Sequence, residues 1–384
     1  MKTRTAIIIL AITLAFGAVP VVSGTHNSCA YAGDIDTAAE EILAGMTLEE
    51  KVGQMFIASP DAVKNGGKSI TKLTGPMKKK LASYNLGGLI MFDRHIKSPS
   101  QIQSFNKALM KASYEYSGLP MFIAVDEEGG SVTRIAHNSK FKVTKFKTMK
   151  AIGKTGKTSK AKKVGKTIGA YLKKYGFTVD FAPVADTLTN KKNKVIGNRS
   201  FGTKPALVSK MVSAEIDGFH SSGMMVTLKH YPGHGGTTND THKGTVKITK
   251  SWSKLKKTDL KPFINNLKKT DLVMASHIRC TGVSKDALPT SLSKLMIQTK
   301  LRNELGYDGV VITDSMGMKA VSGKYGPAKA SIMAINAGCD IVLCPSSLSK
   351  AYNGVIKAVK SGEIPESRID ESVLRIIKMK LKYA

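Results

Sequence analysis

The chain has 384 residues, 42% of them hydrophobic and 6% aromatic, a composition that excludes a wholly disordered protein and predicts a globular core. Lysine and arginine outnumber aspartate and glutamate by 59 to 28, a net charge of +31. So basic a surface favours polyanions as partners. For an exported protein the nearest polyanions are anionic cell-wall polymers and lipid headgroups, and few aromatic residues lie among the lysine clusters, so we expect these partners rather than specific nucleic-acid binding.

Residues 1–32 are predicted to be a secretory signal peptide. A basic start, MKTR, precedes the apolar run AIIILAITLAFGAVPVV, and small residues recur as AYA at 30–32. Gly17 and Pro20 interrupt an apolar run that is already short for a membrane span, which argues against the alternative of an uncleaved anchor. Cleavage after Ala32 would leave a secreted or cell-wall-associated protein.

The remaining residues, 33–384, are predicted to form one domain. Segment 33–50 has the pattern of a docking helix capped by Asp34 or Asp36, with a second start at Thr47 before LEEK.

Eight apolar runs follow, and lysine-rich sequence of helical character comes after each. Continuous apolar runs are typical of parallel strands that are covered on both faces. Eight such units predict an α/β fold, a single-domain (β/α)8 TIM-type barrel, which we expect to be a monomer without a second domain. The runs are QMFIA (54–58), GGLIMF (87–92), PMFIAV (120–125), TVDFAPV (178–184), MMVTLKH (224–230), LVMASHI (272–278), GVVITD (309–314) and CDIVLC (339–344).

Polar residues gather at the carboxyl ends of these predicted strands, where barrels of this type have their active sites. Any single one of them is equally typical of a helix cap, but their number favours a catalytic site. They are Asp93, Arg94, Asp126, Glu127, Glu128, Asp186, His277 and Asp314.

The loop LKHYPGHGGTTNDTHKG, residues 228–244, also follows a predicted strand. His230 and His234 have the spacing of two helical metal ligands, but the proline and glycines around them disfavour a helix. Asp240 and His242 are two residues apart, a spacing that lets the carboxylate hold and polarise the imidazole. The loop is therefore predicted to carry a general acid/base.

KHYPGHGGTTNDTH resembles the KHFPGHG…D-S-H signature of the bacterial β-N-acetylglucosaminidases of glycoside hydrolase family 3, with Tyr231 for Phe and Thr241 for Ser. DEEGGSVTRI (126–135), VIGNRSFG (195–202) and GVVITDSMGM (309–318) match further family segments in order. The likeness extends over residues 40–384.

The resemblance implies a role for particular residues. Asp314 would be the nucleophile, His242 the acid/base and Asp240 its partner. Five further residues would bind the hydroxyls and the acetamido group of the terminal sugar: Asp126, Arg134, Arg199, Lys229 and His230. Glu127 replaces the family's usual Gln, and Ser131 replaces a frequent Arg. These two departures leave open which sugar is preferred beyond the cleaved bond.

The implied activity is that of an exo-acting retaining β-N-acetylglucosaminidase that removes terminal β-linked GlcNAc from peptidoglycan-derived saccharides, without a metal or cofactor. A retaining glycosidase needs a nucleophilic carboxylate and a second group that gives and then takes a proton. Histidine suits the second role because its reference pKa is about 6.5.

Three alternatives stay open. A metal-dependent hydrolase would use His230, His234 and His242. A β-glucosidase or a phosphorolytic enzyme would use the same scaffold. A cationic wall-binding barrel without catalysis would be expected to lack one of the three catalytic residues, all of which are present in the chain.

Overall fold

The structure is a computed structural model that describes residues 30–63, 69–237, 240–241 and 243–384, with side chains from residue 35 onward. The apolar part of the predicted signal peptide and His242 lie outside the described residues. No helix in the described part of the chain combines the length and the apolar character that crossing a bilayer requires.

Each of the eight apolar runs contains a strand of one parallel sheet. The neighbours in this sheet follow the order β10-β1-β2-β3-β4-β5-β7-β9, and a parallel bridge between Ile312 and Ile341 joins the last strand to the first. The predicted eight-stranded barrel is therefore confirmed. Its strands are β1 (Phe56–Ala58), β2 (Gly88–Ile90), β3 (Phe122–Val125), β4 (Val179–Asp180), β5 (Met225–Tyr231), β7 (Leu272–Ala275), β9 (Val310–Thr313) and β10 (Val342–Leu343).

These strands are buried along their whole length, as parallel strands covered on both faces must be. The register places Gly88 beside Phe122, Ala124 beside Val179 and Leu272 beside Val310. A Cβ on Gly88 would lie 2.8 Å from Phe122 Cβ, so glycine is required where these strands approach each other.

The run 272–278 was predicted to be one strand, and the structure divides it. Strand β7 ends at Ala275, and after His277 the chain enters β8 (Ile278–Cys280), which pairs in parallel with β6 (Val246–Ile248) in a separate two-stranded sheet. The two short strands lie beside the barrel rather than in it, so the apolar pattern alone did not show where the strand ends.

Helices surround the barrel, and several end at a glycine just before the next strand, for example at Gly118 and Gly338, whose φ values are +70° and +111°. The helices are α1 (Ala30–Ala44), α2 (Leu48–Gln54), α3 (Pro60–Val63), α4 (Gly75–Tyr84), α5 (Pro99–Ser117), α6 (Met149–Gly153), α7 (Thr158–Lys174), α8 (Pro205–His220), α9 (Trp252–Lys257), α10 (Lys261–Ile264), α11 (Lys319–Ser322), α12 (Pro327–Ala337), α13 (Leu348–Lys360) and α14 (Glu366–Lys382), with a π-helix at Leu295–Glu304.

The start of the first helix was predicted incorrectly. Helix α1 begins at Ala30, so Asp34 and Asp36 are helical residues rather than caps, and Asp36 forms an ion pair of 2.9 Å with Lys378 of α14. The predicted start at Thr47 is confirmed, because Thr47 and Glu50 form a capping box at the beginning of α2.

Candidate active site

A cavity of about 700 Å³ opens at the carboxyl ends of the barrel strands. Charged side chains and apolar side chains share its wall, a combination that suits a polyhydroxylated ring with apolar faces. The charged and ionisable residues that line it include Asp126, Glu128, Arg134, Arg199, Lys229, His230, Asp314 and Lys319, and the apolar ones include Phe92, Phe181, Met274 and Leu343.

Lys229 lies at the centre of the ionic network in this cavity. The register of β5 against β7 shifts between Leu228 and Tyr231, and both Lys229 and His230 line the cavity although they are consecutive in the strand. The ammonium lies 2.8 Å from Asp126 Oδ1 and 2.6 Å from Glu128 Oε1. Burial alone would lower the pKa of Lys229, but the two carboxylates raise it above its usual range, so the amine stays charged.

Glu128 is the buried anion that connects two of the predicted sugar-binding cations. Arg199 donates to it in a bidentate manner, from Nε at 2.8 Å and from Nη2 at 2.7 Å. Burial opposes ionisation, but the charges of Arg199 and Lys229 hold the pKa of Glu128 far below its usual range. The sequence indicated an acidic residue here, but not that it would be the one that fixes both cations.

His230 is oriented by Asp186, which was among the strand-end residues predicted to gather at the site but had been given no specific role. The Nδ1–H of His230 donates to Asp186 Oδ2 at 2.7 Å, and Arg199 Nη2 lies 3.3 Å from His230 Nε2. A guanidinium thus occupies the position that a metal bound to Nε2 would take. This contact disfavours the metal alternative at His230.

Arg134 reaches the cavity from the loop after β3. Its guanidinium lies 3.4 Å from Asp93 and 3.9 Å from Asp126. The loop is held by the fully buried carboxylate of Glu127, which accepts hydrogen bonds from three consecutive backbone N–H groups, those of residues 134–136, and from the hydroxyl of Tyr171. The sequence placed Glu127 among the strand-end polar residues and marked it as a departure from the family pattern, but it did not indicate that Glu127 holds this loop.

Asp314 follows β9 and presents its carboxylate to the cavity. Its backbone N–H donates to Ala275 O at 2.8 Å, and its Oδ1 accepts from Ser315 N at 2.7 Å. Burial would raise the pKa of Asp314, but electrostatic interactions with His277 and His230 and the hydrogen bond from the Ser315 N–H together lower it. The carboxylate is therefore ionised at neutral pH, as a nucleophile requires.

Thr241, whose neighbours in the chain are Asp240 and His242, contacts the segment that follows Asp314. Thr241, the residue between the two, is buried, and its carbonyl accepts a hydrogen bond of 3.2 Å from Ala320 N in α11. Lys319, the neighbour of Ala320, lines the cavity. The predicted acid/base loop is thus anchored at the rim of the cavity, although His242 itself lies outside the described residues.

The model of the glycosyl hydrolase family 3 N-terminal domain matches residues 47–379 of this chain. The chain belongs to glycosyl hydrolase family 3. Among family relatives, the chain is 32% identical over 339 residues to β-hexosaminidase A of Pseudoalteromonas piscicida, a match that covers 82% of this chain and 56% of that protein. It is also 32% identical over 309 residues to β-hexosaminidase LpqI of Mycobacterium tuberculosis, covering 78% and 77% of the two chains.

A solved structure in the same family, a β-N-acetylglucosaminidase from Paenibacillus sp., superposes with a TM-score of 0.82 at 33% sequence identity. The superposition covers 88% of this chain and 63% of that one, so the chain spans little more than half of two of these family members.

The structure brings together every predicted sugar-binding residue and the predicted nucleophile around one cavity: Asp126, Arg134, Arg199, Lys229, His230 and Asp314. Among the described residues, no group of three His, Cys, Asp or Glu side chains is arranged to hold a metal ion. The arrangement offers an ionised carboxylate and fixed cations in one cavity, a set of groups that can accept hydrogen bonds from a polar ring and donate them to it.

Proposed function

We propose that this protein is an exo-acting β-N-acetylhexosaminidase that removes terminal β-linked GlcNAc from peptidoglycan-derived saccharides. The proposal is supported by the names of the relatives, which are β-hexosaminidases and a β-N-acetylglucosaminidase. It rests above all on one observation, the ionised Asp314 in a cavity where Lys229 and Arg199 are fixed by ion pairs with Asp126 and Glu128.

Those ion pairs suit recognition of a neutral, polar ring. Lys229 and Arg199 keep donors directed into the cavity, and Asp126 offers acceptor oxygens. Because Lys229, Arg199 and Asp126 already have partners of opposite charge, they need no charged substrate to neutralise them. Sugar hydroxyls and an acetamido group can bind by hydrogen bonds, while apolar side chains such as Phe181 cover the faces of the ring.

The proposed mechanism retains the anomeric configuration. Asp314 attacks the anomeric carbon while His242 protonates the leaving oxygen, and His242 then deprotonates the water that hydrolyses the glycosyl-enzyme intermediate. Asp240 would stabilise the imidazolium form between the two steps. The hydrogen bond from Ala320 to Thr241, at the rim of the cavity, supports this assignment.

Hydrolysis of three substrates tests the activity: an aryl β-N-acetylglucosaminide, an aryl β-glucoside, and GlcNAc–MurNAc fragments, each with and without phosphate. The expected result is release of GlcNAc from the first and third, without dependence on phosphate. Faster turnover of the β-glucoside, or a sugar phosphate as the product, would favour the alternatives on the same scaffold.

Variants of the acid/base pair test the mechanism. His242→Ala should lose most activity on substrates with poor leaving groups and much less on acidic phenols, which depart without a proton. Asp240→Asn should cause a smaller loss and a shifted pH profile. A metal-ligand role for His242 predicts equal losses across the leaving groups and sensitivity to chelators.

We also propose that the protein is exported and retained on anionic surfaces mainly by charge. The net charge of +31 supports this proposal. Binding to isolated cell walls should then fall steeply with added salt, because screening shortens the reach of exposed lysines. Binding that persists at about 1 M NaCl would contradict it.

A further inference from the structure

A second large cavity lies at the opposite end of the barrel from the candidate active site. This groove, of about 890 Å³, runs between α5 and the C-terminal end of α7 and includes residues 176–178, which lead into β4. Residues that precede parallel strands lie at the amino ends of those strands, whereas Asp314 follows its strand. The groove is therefore remote from the catalytic residues.

The floor of the groove is apolar. It is formed by Met110 and Tyr114 of α5 and by Phe177. Tyr114 is 37% exposed and is the one large hydrophobic side chain classed as exposed in the described part of the chain. A smaller cavity of about 150 Å³ shares Met110 and Tyr114 and extends the apolar surface under the barrel to Met225. Among the described residues, the most exposed large hydrophobic side chain thus lies in this groove.

The rim of the groove is positively charged. Four exposed lysines line it, Lys107 and Lys111 from α5 and Lys173 and Lys174 from α7. Within the described residues none of the four forms an ion pair, whereas Glu115, the acidic residue of the rim, is paired with Lys78. Within the part of the chain that the structure describes, the groove therefore combines an apolar floor with a rim on which four lysines that form no ion pair outnumber a single glutamate.

We propose that this groove docks the protein onto a bilayer that contains anionic lipids. Acidic headgroups would bind the rim lysines, and lipid chain segments would cover Met110 and Tyr114, as at other interfacial sites. A water-soluble polyanion would use the lysines but leave the apolar floor exposed to water. Docking by this end would direct the catalytic cavity away from the bilayer, toward substrates in the wall.

Vesicle binding tests the proposal, with vesicles of phosphatidylcholine alone and vesicles that contain phosphatidylglycerol. The rim variant Lys111→Gln/Lys173→Gln removes two charges. At about 1 kcal/mol per lysine near an anionic surface, it should bind about 30-fold more weakly to the anionic vesicles. The matched control, Lys157→Gln/Lys160→Gln, removes the same charge near the opposite end of α7 and should change binding much less.

Two further variants test the apolar floor. Tyr114→Ser should weaken binding to anionic vesicles while leaving the rim lysines in place. Tyr114→Trp in a Trp252→Phe background leaves a single tryptophan, since the chain has only one. Its fluorescence should shift to the blue on anionic vesicles and should be quenched by brominated lipid chains.

The outcomes separate the possibilities. Equal losses in the rim variant and its control would show binding by diffuse charge and overturn the proposal. Unchanged binding by Tyr114→Ser, or no quenching by brominated lipid, would assign the rim to a soluble polyanion instead. Equal binding to both kinds of vesicle would also overturn it. All variants carry the same N-terminal residues. Each should hydrolyse a soluble aryl glycoside at the wild-type rate. Vesicle binding does not require turnover, so the binding results are independent of the proposed activity.

Discussion

Glu127→Gln tests how the loop that carries Arg134 is held. In the wild-type protein, Oε2 accepts hydrogen bonds from the backbone N–H groups of Arg134 and Ile135, and Oε1 accepts from Ala136 N at 2.9 Å and Tyr171 Oη at 2.7 Å. The substitution preserves shape but replaces one acceptor oxygen with an NH2 group. The NH2 side of the amide, which is itself a hydrogen-bond donor, must then face groups that also donate.

The expected loss of stability follows from counting which of the four donors to Glu127 keep an acceptor in the variant. If the amide oxygen remains at the Oε2 position, it serves the first two N–H groups, and the Tyr171 hydroxyl can rotate to accept from the new NH2. The N–H of Ala136 is left without an acceptor in a buried site. A buried unpaired donor costs about 1–3 kcal/mol, which for a domain of this size corresponds to a lower Tm by roughly 1–4 °C.

The effect on catalysis should be larger for binding than for turnover. Arg134 points into the cavity but is predicted to contact the bound sugar rather than the reacting atoms, so a displaced loop should raise KM about 10-fold with a smaller change in kcat. Thermal unfolding and steady-state kinetics on an aryl β-N-acetylglucosaminide measure both.

Tyr171→Phe is the matched control. It removes one donor to the same carboxylate but leaves the three backbone N–H groups paired, so it should lower stability without raising KM. The reasoning would be refuted if Glu127→Gln left both Tm and KM unchanged, or if Tyr171→Phe raised KM as much.

Three other predictions concern buried carboxyl groups. Asp314→Ala should lower kcat by about 10³-fold or more with the fold intact by circular dichroism, and a variant that kept a tenth of the wild-type rate would place the nucleophile elsewhere. Asp186→Asn should lower kcat/KM about 100-fold, because one amide oxygen cannot serve both the His230 ring and the backbone N–H of His234; unchanged kinetics would contradict this. Glu215 is fully buried with neither oxygen paired among the described residues, and burial raises its pKa well above the usual 4.5. The folded state therefore binds the Glu215 proton more tightly than the unfolded state does. As the pH rises from the unfolded to the folded pKa of Glu215, its contribution to the free energy of unfolding falls by up to about 1.4 kcal/mol per pH unit. Glu215→Gln should accordingly stabilise the protein more at pH 8 than at pH 5, which urea unfolding at the two pH values measures, and a constant difference would argue against the raised pKa.

The sequence by itself was sufficient to predict the barrel and the end of it that holds the site. Parallel strands buried on both faces produce continuous apolar runs, and all eight runs contain barrel strands. Because the strands are parallel, residues at their carboxyl ends must meet at one end of the barrel, which is why Asp126, Lys229 and Asp314 line the same cavity.

Tertiary structure decided which of the neighbouring acidic residues does what. Asp126, Glu127 and Glu128 are consecutive, yet the first and third bind Lys229, while the second turns away to hold the backbone of residues 134–136. This division depends on the turn at Gly129 and Gly130, with φ of +79° and +61°, and on partners 71 residues away in the chain such as Arg199. A local sequence pattern does not show which way a loop side chain points, nor which distant donor it contacts in the folded chain. Only the folded chain brings the two together.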